Sequence, residues 1–574
     1  MASKLPLRLV LVWHMHQPDF RDFATGEFNH PWVYLHAIKD YSDMAAHLEQ
    51  HPSVHAVVNL VPILLDQLED YAEQFASGHI RDRLLRLLMR EKLDDVEPAE
   101  RRFLLDQCFR ANHSKMVEPY TRYKRLRDLY TFVQTHGSDC ADYLSGQYLA
   151  DLVTWYHLAW TGETLRRKEE TIVQLMSKGE GFTASERKQL FDLLGAVIQD
   201  IVPRYRRLAE SGRVELSTTP HYHPIGPLML DFNAARDSIP DAPLPQADHY
   251  AGGRTRLAWH VQEAMRTHNA RFQQHPVGMW PAEGAVSHAF LEVLSEHRVG
   301  WVASGEAVLT NTLRSAGKST SDRMDFLYRP YAFEAAGHRM LCFFRNDRLS
   351  DMIGFEYKGW HGKDAAGHFI AQLEEIHAKT PPGQSPVVSV ILDGENAWEY
   401  YPYNAYYFLD ELYLVLGAHP DIRTATYAEV LAEPEGNGGQ GESGFVRPLP
   451  KLVAGSWVYG NLSTWIGSDP KNRAWDLLCS AKQSYNLVMA SGRLNESGMH
   501  AALRQLAICE GSDWFWWFGD YNPAQSVSTF DQLFRANLAN LYRLLHLPAP
   551  AQLSEPISRG GGSPESGGSM RRTT

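Results

Sequence analysis

Val277-Gly278-Met279-Trp280-Pro281-Ala282-Glu283-Gly284 is a short apolar run that stops at a Trp, a Pro and a carboxylate. A run of that length before Pro and Gly reads as a buried strand, which places Glu283 at its carboxyl end beside a bulky aromatic. Three other runs end the same way. Leu9-Val10-Leu11-Val12-Trp13 leads into His14-Met15-His16-Gln17-Pro18. Val214-Glu215-Leu216-Ser217 leads into Thr218-Thr219-Pro220-His221-Tyr222-His223-Pro224, and Val387-Val388-Ser389-Val390-Ile391-Leu392 into Asp393-Gly394-Glu395. In a barrel of parallel strands the carboxyl ends share one face, so four strands delivering acids and histidines there make a site.

Working outward, strand patterns fall at 7–13, 54–60, 214–217, 277–281, 299–303, 339–344 and 387–392, separated mostly by helical stretches such as 36–50, 255–269 and 368–378. Seven strands alternating with helices predict an α/β fold with a closed or nearly closed parallel barrel; an open doubly wound sheet is the alternative. A crossover needs only ~10–12 residues, so the helical stretch 63–213 is expected to be an inserted subdomain with a solvated surface. The barrel unit is expected over 1–433, then a Gly-rich flexible loop over 434–446 that could close as a lid. A helical domain over 447–551 should complete the active site, and a Gly/Ser/Pro-rich disordered tail is expected over 552–574.

The chain has 574 residues, 44% of them hydrophobic, with 15 Trp and 26 Tyr, which is ample for a large core. A formal charge of -12 without any Lys/Arg-rich run argues against nucleic acid as partner and for a neutral substrate. Cys108, Cys140, Cys342, Cys479 and Cys509 are widely spaced with no CxxC pair, so reduced, buried thiols are expected. The apolar run at the N-terminus is short and leads straight into His14 and His16, and no stretch approaches the ~18 apolar residues of a membrane span. These features predict a cytoplasmic protein with no membrane attachment.

Glu283 and Asp393 are the pair suited to breaking an acetal, one carboxyl attacking and the other protonating the departing oxygen. The alternatives are a strand-end cap for Glu283 and an ordinary turn for Asp393-Gly394. His14 and His16 alternate on a strand and face one side, where imidazoles would hydrogen-bond sugar hydroxyls. A rival grouping of His14, His16, His223 and Asp393 would bind zinc. His30, His36 and His47 read as structural. Aromatics suited to stacking on a pyranose crowd the same segments: Trp280, Trp360, Trp398, Tyr400, Tyr401, Trp457, Trp465 and Trp514. Trp516, Trp517 and Phe518 read as core, whereas Asp513 and Asp520 are unlikely in an inert core.

These segments, together with Asn396-Ala397-Trp398-Glu399 and Ser512-Asp513-Trp514-Phe515, resemble glycoside hydrolase family 57 over about residues 7–545. The resemblance implies a distorted (β/α)7 barrel followed by a helical domain, acting on α-glucans with retention of configuration and without metal or cofactor. It assigns the nucleophile to Glu283 and the acid/base to Asp393. Sugar contacts fall on His14, His16 and His223, with Trp280 and Trp398 lining the flanking subsites and Asp513 holding hydroxyls. Glu395, Trp457, Trp465 and Trp514 complete the expected binding set. Gly284, after the nucleophile, should leave room at the base of the site. The Asp393–Glu399 segment looks most like the amylopullulanase-type group, which implies hydrolysis of α-1,4 linkages, with α-1,6 linkages as a further target, in an α-glucan polysaccharide or oligosaccharide. A 4-α-glucanotransferase or branching enzyme of the same family is the nearest alternative. From other classes, a zinc-dependent hydrolase or an inert glucan-binding protein stay open, and oligomeric state is not legible.

Overall fold

The structure, a computed structural model, describes residues 4–136, 138–433 and 445–562. The loop expected at 434–446 therefore lies almost wholly outside the described residues. In chain order the strands are β1 (Leu7–Met15), β2 (Ala56–Leu60), β3 (Val214–Ser217), β4 (Gly278–Met279), β5 (Trp301–Ser304), β6 (Tyr331–Ala335), β7 (His338–Phe344), β8 (Val387–Asp393), β9 (Ile422–Thr424) and β10 (Arg447–Pro448). Two sheets run β3-β2-β1-β8 and β10-β6-β7-β5-β4. Parallel bridges Thr218–Met279 and Arg345–Ser389 join them. The ring β1-β2-β3-β4-β5-β7-β8 thus closes as a seven-stranded parallel barrel, and each of its strands is one of the seven expected from sequence. Short β9 pairs with the first residues of β1, and β6 runs antiparallel to β7 with β10 at its edge.

Alternation along each strand sorts the core into two layers. On β1, Leu9, Leu11, Trp13 and Met15 pack outward against the helices, while Val10 and Val12 turn inward. The barrel interior is filled by Val10, Val12, Val57, Trp280, Trp301, Ala303, Phe343 and Ile391, plugged at its base by Tyr427 and Val430. His14 continues the inward row of β1, in register with Asn59 of β2 on one side and Asp393 of β8 on the other. The chemistry is therefore stacked directly on a solid apolar core.

Between β2 and β3 the described chain is helical, including Pro62–Ser77, Gly146–Trp160 and the long Ala184–Glu210. After β10 come helices Asp469–Ser491, Glu496–Cys509, Asp513–Trp517 and Ala524–Leu544. These last helices are bolted to the barrel by a buried ion cluster. Arg256 donates to Glu510 at 2.8 and 2.6 Å, His260 lies 2.8 Å from it and the Tyr250 hydroxyl donates at 2.5 Å. The expected disordered tail is corrected up to residue 562: Leu553, Ile557 and Ser558 are buried, and the Ile557 amide donates to Asp531 at 2.7 Å. Two apolar side chains and a buried carboxylate acceptor hold this segment despite its composition. Residues 563–574 lie outside the described residues.

Candidate active site

Glu283 reaches the barrel mouth through a strained turn. The Trp280 amide donates to the Thr218 carbonyl at 2.9 Å, closing the barrel, and after Pro281 the chain turns at Glu283 with φ 58° and ψ 24°. A non-glycine residue in this left-handed region costs about 1–3 kcal/mol, and such strain persists where surrounding structure enforces a functional orientation. Gly284 follows at φ 56°, where a Cβ would lie 2.8 Å from the Trp280 ring. The space that glycine was expected to leave open is filled by indole.

The Glu283 carboxylate accepts from Trp457 Nε1 at 3.0 Å, and its carbonyl accepts from the Trp457 amide at 3.2 Å. Trp457 is held in turn between Trp280, 5.3 Å away edge-on, and the Arg345 guanidinium, 5.3 Å from its ring. Arg345 is fixed at the end of β7 by the Ile391 carbonyl, Asp347 and Asp351. Asp393, the last residue of β8, accepts from Asn396 Nδ2 at 2.8 Å. Behind it, buried Glu395 accepts from Gln17 at 2.9 Å and from the Tyr41 hydroxyl.

Glu283 and Asp393 line one cavity of about 950 Å3. Burial pushes Glu283 up to about 8, reinforced by the charge of Asp393 and opposed by the Trp457 N–H. Burial also pushes Asp393 up to about 6, against Asn396, His16 and Arg345. The two carboxyls titrate as a coupled pair, both raised into the neutral range. Glu395 is raised as well, by burial and then, among charges, by Asp393.

Next to Asp393 stands a histidine stack. His16 lies 3.8 Å from His223 and His14 5.4 Å from it, all nearly parallel. His14 Nδ1 is 2.7 Å from Asn59 Oδ1, whose amide nitrogen donates to Ser217 and whose oxygen also accepts from Thr219. Asn59 Oδ1 can only accept, so His14 carries its proton on Nδ1 and keeps an Nε2 lone pair. Burial, then the neighbouring His16, lowers His14 to about 3, so it stays neutral. Burial with both neighbours lowers His223 well below the usual range. His16 Nε2 is 3.0 Å from both oxygens of Asp513, which the C-terminal helices deliver. His223, also at positive φ, bonds Ser512 at 2.8 Å and so anchors that helix.

Of the expected residues, His14, His16, Glu283, Asp393, Glu395, Trp457 and Asp513 line the cavity. His223 and Trp280 sit one layer behind, His223 stacked on His16 and Trp280 edge-on to Trp457. Trp398, Trp465 and Trp514 do not reach it: all three are fully buried, and the Trp398 and Trp514 N–H groups donate to the Gly394 and Ile508 carbonyls. Their indoles are core, supporting the Asp393 loop and the C-terminal helices. Conversely Trp516 and Trp517, read as core, line the cavity, as do His30 and His36, read as structural. The insertion also contributes: Arg110, Ser114 and Trp160 face the cavity, so its surface there is site wall and not only solvated. Arg345 was missed although it ends β7 as the other site residues end their strands.

The expected zinc grouping does not form. The ring nitrogens and carboxylate that approach one another within 4.8 Å belong to His16, His223 and Asp513, without His14 or Asp393. Stacked imidazoles 3.8 Å apart hold their lone pairs in near-parallel planes, so they cannot converge on one ion at the ~2.1 Å that zinc requires.

A sequence comparison with known families matches residues 10–438 to glycosyl hydrolase family 57. The chain belongs to glycosyl hydrolase family 57. Its fold is similar to the branching enzyme of this family from Thermococcus kodakaraensis, with a TM-score of 0.56 at 15% identity, covering 94% of this chain and 90% of that one. The α-amylase AmyC of Thermotoga maritima is similar at TM-score 0.55 and 12% identity, covering 98% and 95%. The family 57 branching enzyme of Pyrococcus horikoshii is similar at 0.55 and 15%, covering 99% of both chains. At such identities the likeness concerns the fold, here the distorted seven-stranded barrel with its C-terminal helices. Family membership makes this a glycosyl hydrolase-type, carbohydrate-active enzyme. Among the described residues no helix is long and apolar enough to cross a membrane.

Proposed function

We propose that this family 57 chain is a retaining α-glucan-cleaving enzyme of amylopullulanase or α-amylase type, with Glu283 as nucleophile and Asp393 as acid/base. The observation that carries the reading is the pair itself: two buried carboxyls on one cavity, each raised by burial, with an indole beside them. Glu283 attacks the anomeric carbon as the glycosidic C–O bond breaks, and Asp393 gives its proton to the departing oxygen. Asp393 then takes a proton from water, whose oxygen attacks the same carbon and frees Glu283. Two carboxyls acting this way stand ~5–5.5 Å apart in retaining enzymes.

The chemistry needs Glu283 ionised and Asp393 protonated, although burial raises Glu283 as well as Asp393. Trp457 Nε1 is the donor that favours it. His14 Nε2 accepts from a sugar hydroxyl, and the His16–Asp513 couple holds others. Among the described residues Cys108, Cys342, Cys479 and Cys509 are unpaired and buried, which fits a reducing compartment.

A second reading, glucan transfer, is favoured by the apolar roof of Trp516, Trp517 and Phe530, which disfavours water over an acceptor sugar. Product analysis on amylose, pullulan and maltooligosaccharides tests both. Shorter products alone indicate hydrolysis, longer ones transfer, and new α-1,6 linkages branching. With azide, Glu283→Gly should yield an inverted glycosyl azide and Asp393→Ala a retained one. Azide products of the opposite anomeric configuration would exchange the two roles, and near-full activity in either variant would end the proposal.

A further inference from the structure

Away from the cavity, helix Ser42–Gln50 carries His47 in its last turn and is capped by His51, whose amide donates to the His47 carbonyl. Side chains four apart share a helix face, and helix Tyr406–Ala418 packs across this one and brings Asp410 to the same place. One donor atom from each of His47, His51 and Asp410 lies within 4.8 Å of the others, and His51 Nε2 is 2.9 Å from Asp410 Oδ1. His47 is fully buried, flanked by Tyr406 at 5.3 Å and Tyr413 at 6.4 Å, and neither of its ring nitrogens has a hydrogen-bond partner.

We propose that His47, His51 and Asp410 bind a divalent transition ion, zinc being the best fit, with water completing the shell. Two imidazoles and one carboxylate are the donor set of many zinc sites. Zn–N of ~2.0–2.1 Å and Zn–O of ~2.0–2.2 Å at tetrahedral angles place donors roughly 3.3–3.5 Å apart, so the observed spacing needs only small side-chain movements. Unlike the stacked His16 and His223, the pair here is offset by one helical turn, the arrangement used by zinc-binding helices. Asp410, whose side chain is 44% exposed, gives the ion a route from solvent. None of the three residues lines the catalytic cavity. The ion would fasten helix Ser42–Gln50, which leads from β1, to the helix that begins just after the Asp393 loop, a structural clamp independent of the proposed glycosidic chemistry.

The test uses the full chain, treated with chelator and dialysed. Titration with Zn2+ by calorimetry should show one equivalent bound, Co2+ should give visible bands of nitrogen/oxygen ligation without sulfur, and Zn2+ should raise the melting temperature. His51→Ala and Asp410→Ala, both partly exposed, should each lower Zn2+ affinity at least ~100-fold and abolish the melting shift while keeping metal-free stability and glucan activity. His47→Ala is avoided because it opens the core. His16→Ala should leave the stoichiometry unchanged. Absence of binding, full binding in His51→Ala and Asp410→Ala, or loss of binding only in His16→Ala would each overturn the proposal and leave His47 as an aromatic packing residue.

Discussion

Replacing Trp457 by Phe removes one hydrogen-bond donor from the Glu283 carboxylate while keeping a ring between Trp280 and Arg345. A hydrogen bond to a charged group contributes about 1.5–3 kcal/mol, and one pKa unit corresponds to 1.36 kcal/mol, so the loss should raise Glu283 by about 1–2 units. The sign follows from the direction of the bond: the N–H stabilises the ionised form, so the substitution favours the proton. The profile of kcat/KM against pH reports the free enzyme and should be a bell with limbs near 6 and 8, the values of Asp393 and Glu283. Below the acid limb both carboxyls are protonated and no nucleophile exists; above the alkaline limb both are ionised and no acid remains. In Trp457→Phe the alkaline limb should move up by those 1–2 units. The plateau should fall about 10–100-fold, because the proton leaves Asp393 for Glu283 more completely. A stopped assay on a maltooligosaccharide from pH 4 to 10 reads both. Movement of the acid limb instead would mean that the proton rests on Asp393 in the free enzyme. No movement of either would mean that the Trp457 contact does not tune the nucleophile.

Asp513→Ala should lower kcat/KM about 10–100-fold with unchanged circular dichroism, since His16 loses its partner, and Asp513→Asn should recover part of it because one acceptor oxygen remains. Full activity in Asp513→Ala would remove the couple from the site. Glu510→Ala strands the buried Arg256 cation and should cost about 3–5 kcal/mol, read as a lowered midpoint in urea. Burial alone would raise Glu510, but Arg256 and His260 hold it well below the carboxylate range. Its contribution is thus fully present above about pH 4.5 and is lost as pH falls below that, so wild type and variant should converge in acid.

The barrel was legible because its strands are apolar runs, a signal that survives even where β4 shrinks to Gly278–Met279. Four of those runs end in acids or histidines, which pointed to His14, Glu283 and Asp393, whereas Asp513 stood out as a carboxylate beside an aromatic run. Which indoles reach the cavity was not legible from composition, since buried and lining tryptophans occur side by side. Helical spacing could have sorted one group: in Asp513–Trp517, positions i+3 and i+4 share the face of Asp513, so Trp516 and Trp517 join it at the cavity while Trp514 turns into the core. Trp398 could not be placed this way, because its burial depends on packing against Trp13 from the far end of the chain. The wall formed by Arg110–Ser114 carries no local pattern; only the packing of the insertion brings it there.

The site is shared between distant segments, and that division has an energetic reason. The barrel alone supplies the two carboxyls, but burying both raises both, which by itself silences a nucleophile near neutral pH. What counteracts this comes from beyond the barrel strands. Trp457 donates to Glu283 and so opposes the rise, the charge of Asp513 adds to it, and the ion cluster around Glu510 locks the supporting helices to the barrel. A chain ending at residue 433 would keep Glu283 and Asp393 on their strands yet lose the donor that favours the ionised nucleophile. On the proposed roles, the segment that carries Trp457 acts on the protonation of the Glu283–Asp393 pair, and docking of the later helices and activity should be lost together as Glu510 is replaced.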